Sequence, residues 1–471
     1  MSLDGKNVLV LGLGESGLSM ARWAARTGAA RVCVADTRAE PPGRAALAQH
    51  VPQAILRTGA FERDAFAGID LVAISPGVPL AEPTVRDASA RGVPVVGDVE
   101  IFSNALKDVY RDRATPTLIG VTGTNGKTTV TALTNATVAG GKRRTEMAGN
   151  ISPAVLTALM DCIDRDALPE VWVLELSSYQ LESTYSLNLD AATMLNLSED
   201  HLDRYANLDA YAAAKARIFA GDGLQVLNRN DPMSLAMQRA DRGVTTFGLD
   251  EAPTDQDYGL IRAGGSFQLA HGRTPVLAAT ALQLAGLHNA ANALAALALT
   301  SEIDLDRTGA LNAMRAFRGL PHRVEPVAEV DGVRYFNDSK GTNVGATIAA
   351  LDGFARSLAG TTARVVLIAG GDGKGQNFTP LRDALGGAVR AVILIGRDGP
   401  VIDRALAGSS VARIKALSMA DAIDRAREMA VAGDIVLLSP ACASFDMFNH
   451  YKHRGEVFSA IVKGLPNAHG N

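Results

Sequence analysis

Gly123, Thr124, Asn125, Gly126, Lys127, Thr128 and Thr129 stand in one run, and residues of these types could hold a chain of phosphates. Glycines let backbone N–H groups close on an anion, and a helix beginning there adds about half a positive charge. Lys127 would reach the terminal phosphates, and the Thr128 hydroxyl is the hard oxygen that Mg²⁺ prefers. The run departs from G-x-x-x-x-G-K-[ST] because Val121 occupies the first glycine position. Two elements must position it. The apolar residues 118–121 predict a buried strand, and residues 130–139 predict the helix that follows.

A second glycine group, Gly12, Gly14 and Gly17, follows the apolar residues 7–11 and precedes a helical stretch over 18–26. A strand over 31–35 then ends at Asp36. This is G-x-G-x-x-G with an acid about 20 positions on, which taken alone predicts a nicotinamide-dependent dehydrogenase. The glycines, however, specify only a pyrophosphate at a helix N-terminus, and a UDP-sugar satisfies the same physics. Further strands are predicted over 71–75 and 93–96, with Asp98 and Glu100 after them, and residues 104–117 suggest a linker.

Other chemistry-bearing residues follow predicted strands. Glu175 ends the strand over 171–176, where Mg²⁺ beside the phosphate run would need an anionic oxygen; a surface charge at a strand end is the plainer alternative. His201 follows the strand over 191–197 among acidic neighbours, and Lys215 sits on a helix over 210–219, where a lysine ordinarily means only solvation. Residues 241–280 suggest short strands, and residues 286–299 an alanine-rich helix. Beyond a linker at 319–323, Asp338 and Lys340 leave a strand and precede a helix over 344–351. An Asp there could accept ribose hydroxyls, and Lys340 could offset phosphoryl charge. Strands over 365–369, 392–395 and 435–438 follow. Thr342, Lys374, Ser444 and Tyr451, one cation and several donors, could form a pocket for a small dicarboxylate. Cys442 lacks a base motif beside it and is not read as a nucleophile.

At 471 residues the chain exceeds what one core usually supports, so several domains are expected. Its 47% hydrophobic and 20% charged content describes a globular protein, and its 46 glycines suit the tight turns of parallel α/β folds. A net charge of −4 argues against general nucleic-acid binding. The 3 cysteines are too few and scattered for a disulfide framework or a zinc site. Neither a signal peptide nor a membrane-spanning run is visible, so a cytoplasmic protein is expected, acting as a monomer.

Thr122-Gly123-Thr124-Asn125-Gly126-Lys127-Thr128-Thr129 and Glu175-Leu176-Ser177-Ser178-Tyr179-Gln180-Leu181 resemble signatures of the Mur ligases and their folylpolyglutamate synthetase relatives. These are ATP-dependent enzymes that make amide bonds through an acyl phosphate. The resemblance spans essentially the whole chain. It is nearest the branch that adds D-glutamate to UDP-N-acetylmuramoyl-L-alanine in peptidoglycan precursor synthesis, since the Asp-Asn-Pro-Arg of the diaminopimelate-adding branch is absent. A related class adds L-glutamate, and that alternative stays open, as does a folylpolyglutamate synthetase-like ligase.

The resemblance implies an α/β fold of three domains: a Rossmann-like UDP-substrate domain over 1–105, a central phosphate-loop ATP domain over 106–320, and a Rossmann-like domain over 321–471 completing the ATP and glutamate sites. It implies that Ser16, Asp36, Thr37, Arg38, Ser75, Gly77 and Asn150 contact the UDP-linked substrate. Residues 123–129, with Asn289, Arg323 and Asp338, would hold ATP. Thr128, Glu175, His201 and Lys215 would serve two Mg²⁺ ions, Lys215 as a carbamate. Lys127, Glu175, His201, Lys215, Arg323 and Lys340 would act in catalysis, and Thr342, Lys374, Ser444 and Tyr451 would bind glutamate. Around Asn150 the family form is Gly-Gly-Asn-Ile-Gly, whereas this chain has Ala148-Gly149-Asn150-Ile151-Ser152. Against all this stand two rivals, a dehydrogenase built on Gly12–Gly17 and a non-catalytic nucleotide-switched module.

Overall fold

Continuous apolar runs become strands covered on both faces, as parallel sheets require. The computed structural model describes residues 1–200, 204–263, 265–284, 286–358 and 360–470. The first sheet comprises β1 (Asn7–Leu11), β2 (Arg31–Asp36), β3 (Ile55–Thr58), β4 (Leu71–Ile74) and β5 (Val95–Val96), in the order β3-β2-β1-β4-β5 and parallel throughout. Val8, Leu9, Val10 and Leu11 of β1 have no exposed surface. Because β1 lies between β2 and β4, the chain crosses to opposite sides after β1, and the loops after these three strands share one edge.

The second sheet is built from β6 (Thr117–Thr122), β7 (Thr145–Gly149), β8 (Val171–Glu175), β9 (Ala191–Met194), β10 (Leu224–Asn228), β11 (Val244–Phe247), β12 (Tyr258–Ala263), β13 (Ser266–His271) and β14 (Thr274–Ala278). Its order is β14-β13-β12-β11-β10-β9-β6-β8-β7. Strand β6 lies inside the sheet, parallel to both β8 and β9, with Val121 beside Glu175 and Thr193. The third sheet holds β15 (Glu325–Val330), β16 (Val333–Asn337), β17 (Val365–Gly370), β18 (Val389–Ile395), β19 (Ala412–Lys415), β20 (Ile435–Leu438) and β21 (Ala468–Gly470), in the order β19-β18-β17-β20-β16-β15-β21.

By packing, the chain forms two compact units. One holds residues 1–197, 209–277 and 293–315, with the first two sheets; the other holds residues 198–208, 278–292 and 316–471, with the third. Among the described residues no helix is long and apolar enough to cross a membrane.

Several elements differ from expectation. Residues 104–109 belong to the helix Asp98–Val109 rather than to a linker. Strand β7 was not expected from the sequence, because Thr145 and Glu146 interrupt its apolar pattern. The edge strand β3 is largely exposed and lacks the apolar signature of a buried strand.

Candidate functional site

The glycine-rich turn leaves β6 with Gly123 at φ +147° and Gly126 at φ +83°, backbone states that favour glycine. The helix Lys127–Gly140 begins immediately afterwards. Asn196, just past β9, clamps this turn. Its Oδ1 accepts from the Asn125 amide at 2.8 Å, its Nδ2 donates to the Asn125 carbonyl at 3.0 Å, and its own carbonyl accepts from the Thr124 amide at 2.8 Å. Sequence reasoning passed over Asn196; its only signal was a polar side chain near the end of an apolar run. Thr124, Thr128 and Thr129 are buried.

Two ammonium groups meet on one carbonyl. Lys127 Nζ donates to the Gly123 and Thr124 carbonyls, both at 2.8 Å, and Lys215 Nζ donates to the Gly123 carbonyl at 2.7 Å. Lys215 also lies 3.4 Å from Thr122 Oγ1 and 4.7 Å from the centre of the Tyr211 ring. Lys215 is not the solvated surface lysine that its helix alone would suggest. Lys215 is only 1% exposed, on a helix Leu208–Ala216 whose alanines leave a long side chain room to reach inward.

Glu175 ends β8 and is likewise 1% exposed. Its Oε1 accepts from Asn150 Nδ2 at 2.7 Å, whereas its Oε2 is buried without a hydrogen-bond partner among the described residues. An orphaned carboxylate oxygen of this kind is costly unless something else satisfies it. Asn150 therefore points at Glu175, and the Asn150 amide also donates to the Glu175 carbonyl at 2.8 Å. Gly149 has φ +119°, and a side chain there would strike the Glu175 backbone. Among the described residues no three His, Cys, Asp or Glu side chains are grouped to hold a metal. His201 lies outside the described residues.

The first glycine loop of the same unit is braced from within. Ser75 Oγ donates to the Gly12 carbonyl at 2.9 Å, and a side chain on Gly17 would collide with that carbonyl. Asp36 uses both oxygens: Oδ2 accepts from the Leu13 amide at 2.7 Å and from Arg38 Nη2 at 2.7 Å, and Oδ1 accepts from the Arg38 amide and Nε. The Arg38 guanidinium holds this carboxyl down at about 2. The acid that would grip a nicotinamide cofactor's ribose is thus engaged in tying its own loops together. Thr37 and Arg38 are exposed at the loop, with Ser75 and Gly77 at the neighbouring strand end.

In the second unit, Asp338 follows β16 and is buried. Burial pushes its carboxyl up to about 7, against the opposing effects of a 2.7 Å hydrogen bond from Ser439 Oγ and the charge of Arg323. Lys340 Nζ sits 4.0 Å from the centre of the Tyr451 ring, a cation–π arrangement. Arg454, 1% exposed, ties the surrounding loops together through the carbonyls of Ser339, Cys442 and Ala443 and through Ser339 Oγ at 3.0 Å. Nothing in the residues around it marks this role. Thr342 lies two residues after Lys340, its amide donating to the Lys340 carbonyl at 2.8 Å, and Ser444 is buried beside Ala443. The Lys374 amide donates to Asp372 Oδ1 at 3.1 Å, and Asp372 bridges to Ala443, so the loops of Lys374 and Ser444 are joined. Asn289 Oδ1 accepts from Asn292 Nδ2 at 3.2 Å. Burial raises the Cys442 thiol to about 12, which fits its reading as structural.

A phosphate-type turn, a buried carboxylate at the next strand end and a second glycine loop define a nucleotide-using α/β protein. Three family models match it: "Mur ligase MurD-like, N-terminal domain" over residues 6–97, "Mur ligase middle domain" over 121–300 and "Mur ligase, glutamate ligase domain" over 322–442. The chain is 52% identical over 470 residues to the UDP-N-acetylmuramoylalanine–D-glutamate ligase of Nitrosospira multiformis, covering 99% of this chain and 97% of that one. It is 53% identical over 468 residues to the same-named protein of Aromatoleum aromaticum, covering 99% and 98%. Among solved structures, the UDP-N-acetylmuramate-alanine ligase MurC of Thermotoga maritima has a similar fold at TM-score 0.60 and 19% identity, covering 97% of this chain and 98% of that one. MurF of Acinetobacter baumannii gives TM-score 0.60 at 14% identity, covering 98% and 91%. The chain belongs to the Mur ligase family.

Proposed function

We propose that this chain joins D-glutamate to UDP-N-acetylmuramoyl-L-alanine with cleavage of ATP, a cytoplasmic step of peptidoglycan precursor synthesis, and that it acts as a monomer. The observation carrying this reading is end-to-end identity near one half with ligases named for that reaction. Residues 1–105 would hold the UDP group, 106–320 ATP, and 321–471 glutamate.

The reaction begins when the substrate's alanyl carboxylate takes the γ-phosphoryl group of ATP, releasing ADP. The deprotonated amine of glutamate then attacks the acyl phosphate carbon, and the tetrahedral intermediate expels phosphate to leave the amide. Lys127 and Arg323 lower the barrier by meeting charge that grows on transferring oxygens. Asn289 and Asp338 hold the nucleoside, Lys340 supports the phosphoryl charge, and Thr342, Lys374, Ser444 and Tyr451 receive the amino acid. On the uridine side, Ser16, Thr37, Arg38, Ser75 and Gly77 line the loops that take the diphosphate, with Asp36 bracing them.

Glu175 Oε2, which has no hydrogen-bond partner among the described residues, and the Thr128 hydroxyl are the hard oxygens that Mg²⁺ takes, so the residues present fit the ion. When bound, two such ions would neutralise phosphate charge. His201 and a carbamate on Lys215 would complete their protein ligands. Lys215 is buried and its Nζ shares the Gly123 carbonyl with that of Lys127, beside the phosphate turn where the carbamate would serve. The carbamate nitrogen keeps one N–H, so the Gly123 contact can persist.

The test is phosphate release from ATP. Release should require both UDP-N-acetylmuramoyl-L-alanine and D-glutamate; preference for L-glutamate, or release independent of either substrate, would refute the reading.

A further inference from the structure

Glu15, the first residue of the helix Glu15–Arg26, leaves its own domain. Its Oε2 accepts from Ser152 Oγ at 2.7 Å and its Oε1 from the Ala154 amide at 3.0 Å. Those partners follow Asn150, the residue that holds Glu175. Ser152 is also one of two positions, with Ala148, where this chain departs from the family's glycines, and its hydroxyl has a defined acceptor. A second connection runs parallel to it. Ser16 Oγ donates to the fully buried Asp98 Oδ2 at 2.8 Å, and Gln180 Nε2 approaches both Asp98 oxygens at 3.3 and 3.4 Å. Gln180 closes a capping box with Ser177, two residues beyond Glu175. Adjacent residues of the diphosphate loop are therefore tied by separate struts to the two flanks of the Glu175 corner.

We propose that Glu15 is a positioning residue. Through Ser152 and Ala154 it fixes the spacing between the diphosphate loop and the Asn150–Glu175 corner, and so sets the length of UDP-linked acid that can engage both ends. This rests on the proposed substrate. A ligand that touches both ends gains from their fixed spacing as a bivalent ligand does, whereas one that touches only the loop does not. The helix Glu15–Arg26 keeps a further polar contact to the central part, Arg26 Nη1 to Asp164 Oδ1 at 2.6 Å, so loss of Glu15 leaves the two parts joined.

Calorimetric titration of the full chain with UDP and with UDP-N-acetylmuramoyl-L-alanine separates the possibilities. In Glu15→Ala the Kd of the spanning ligand should rise about tenfold, the loss expected for two modest hydrogen bonds, while the Kd of UDP stays within about twofold. Ser152→Ala should give a smaller rise, and Glu15→Ala/Ser152→Ala should be no worse than Glu15→Ala alone, because both substitutions cut one connection. Glu15→Gln, which keeps one acceptor, should fall between. Equal weakening for both ligands would mean general damage to the first domain and would overturn the proposal, as would no change for either. If the wild type binds the spanning ligand no more tightly than UDP, the substrate assignment fails and the spacing role falls with it. If the wild type discriminates and Glu15→Ala discriminates equally, only the spacing role falls.

Discussion

Lys215 and Lys127 donate to one carbonyl oxygen, yet the chemistry proposed for them has opposite sign. Lys127 is needed as a cation against phosphate. Lys215, buried beneath the turn, is proposed to become an anion. Lys215→Ala should lose at least about a hundredfold in turnover, the scale of removing one well-placed electrostatic group. Formate or acetate should restore part of it by supplying carboxylate oxygens in the vacated space. The same anions should not help Lys127→Ala, whose missing group is a cation. A fully active Lys215→Ala protein would refute any role, and failure of rescue would remove the support for the carbamate.

Asp338 gives a prediction in pH. Its carboxyl titrates near 7 in the folded chain, against about 3.9 when unfolded. Between those values the folded state binds the extra proton, so this group's contribution to stability is complete below about 4 and is lost as pH rises to about 7. Asp338→Asn removes that slope while keeping an acceptor for Ser439. Urea titrations between about pH 4 and 7 should show the wild type losing stability relative to the variant as pH rises. Parallel profiles would show that the carboxyl is not raised.

Elements explain which parts of this arrangement were legible. The glycine turns could be read because their backbone angles exclude most other residues, and β1, β6 and β8 because burial on both faces demands unbroken apolar runs. Strand β7 was missed because its polar residues break that signal, and β3 because an exposed edge does not need it. Asp98, Asn196 and Arg454 could not be read as braces, since each acts on a partner far away in sequence. The burial of Lys215 was hidden by a helix of small residues that marks no inward face. Asn196 supplies the prediction at this scale. Asn196→Ala removes two of the three hydrogen bonds clamping the phosphate turn and leaves the one made by its backbone. The KM for ATP should rise about tenfold, from roughly 1–2 kcal/mol of lost ordering, while the KM for the UDP-linked substrate holds steady. Steady-state kinetics with each substrate varied would measure both, and an unaltered ATP KM would mean the turn holds its shape without the clamp.

At the scale of the whole molecule, the chain has two units with separate cores. The apolar sides of β17, β18 and β20 pack against helices of their own unit, as do those of β1 and β4 in the other. Multidomain chains commonly depart from two-state unfolding, so calorimetry should resolve two heat-absorption transitions. The proposed uridine loops lie entirely within the first unit, among residues 12–77. A ligand bound only to a folded unit stabilises that unit by mass action, by about 2.7 kcal/mol at a concentration of 100 Kd. For a body of more than 250 residues that is a shift of a few degrees. UDP in excess should therefore move one transition upward and leave the other in place, and the moving one should carry the larger enthalpy because the first unit contains more of the chain. A single transition whose calorimetric and van't Hoff enthalpies agree would show that the two cores unfold as one. Two transitions shifting together under UDP would show that the nucleotide reaches both units or that their stabilities are linked.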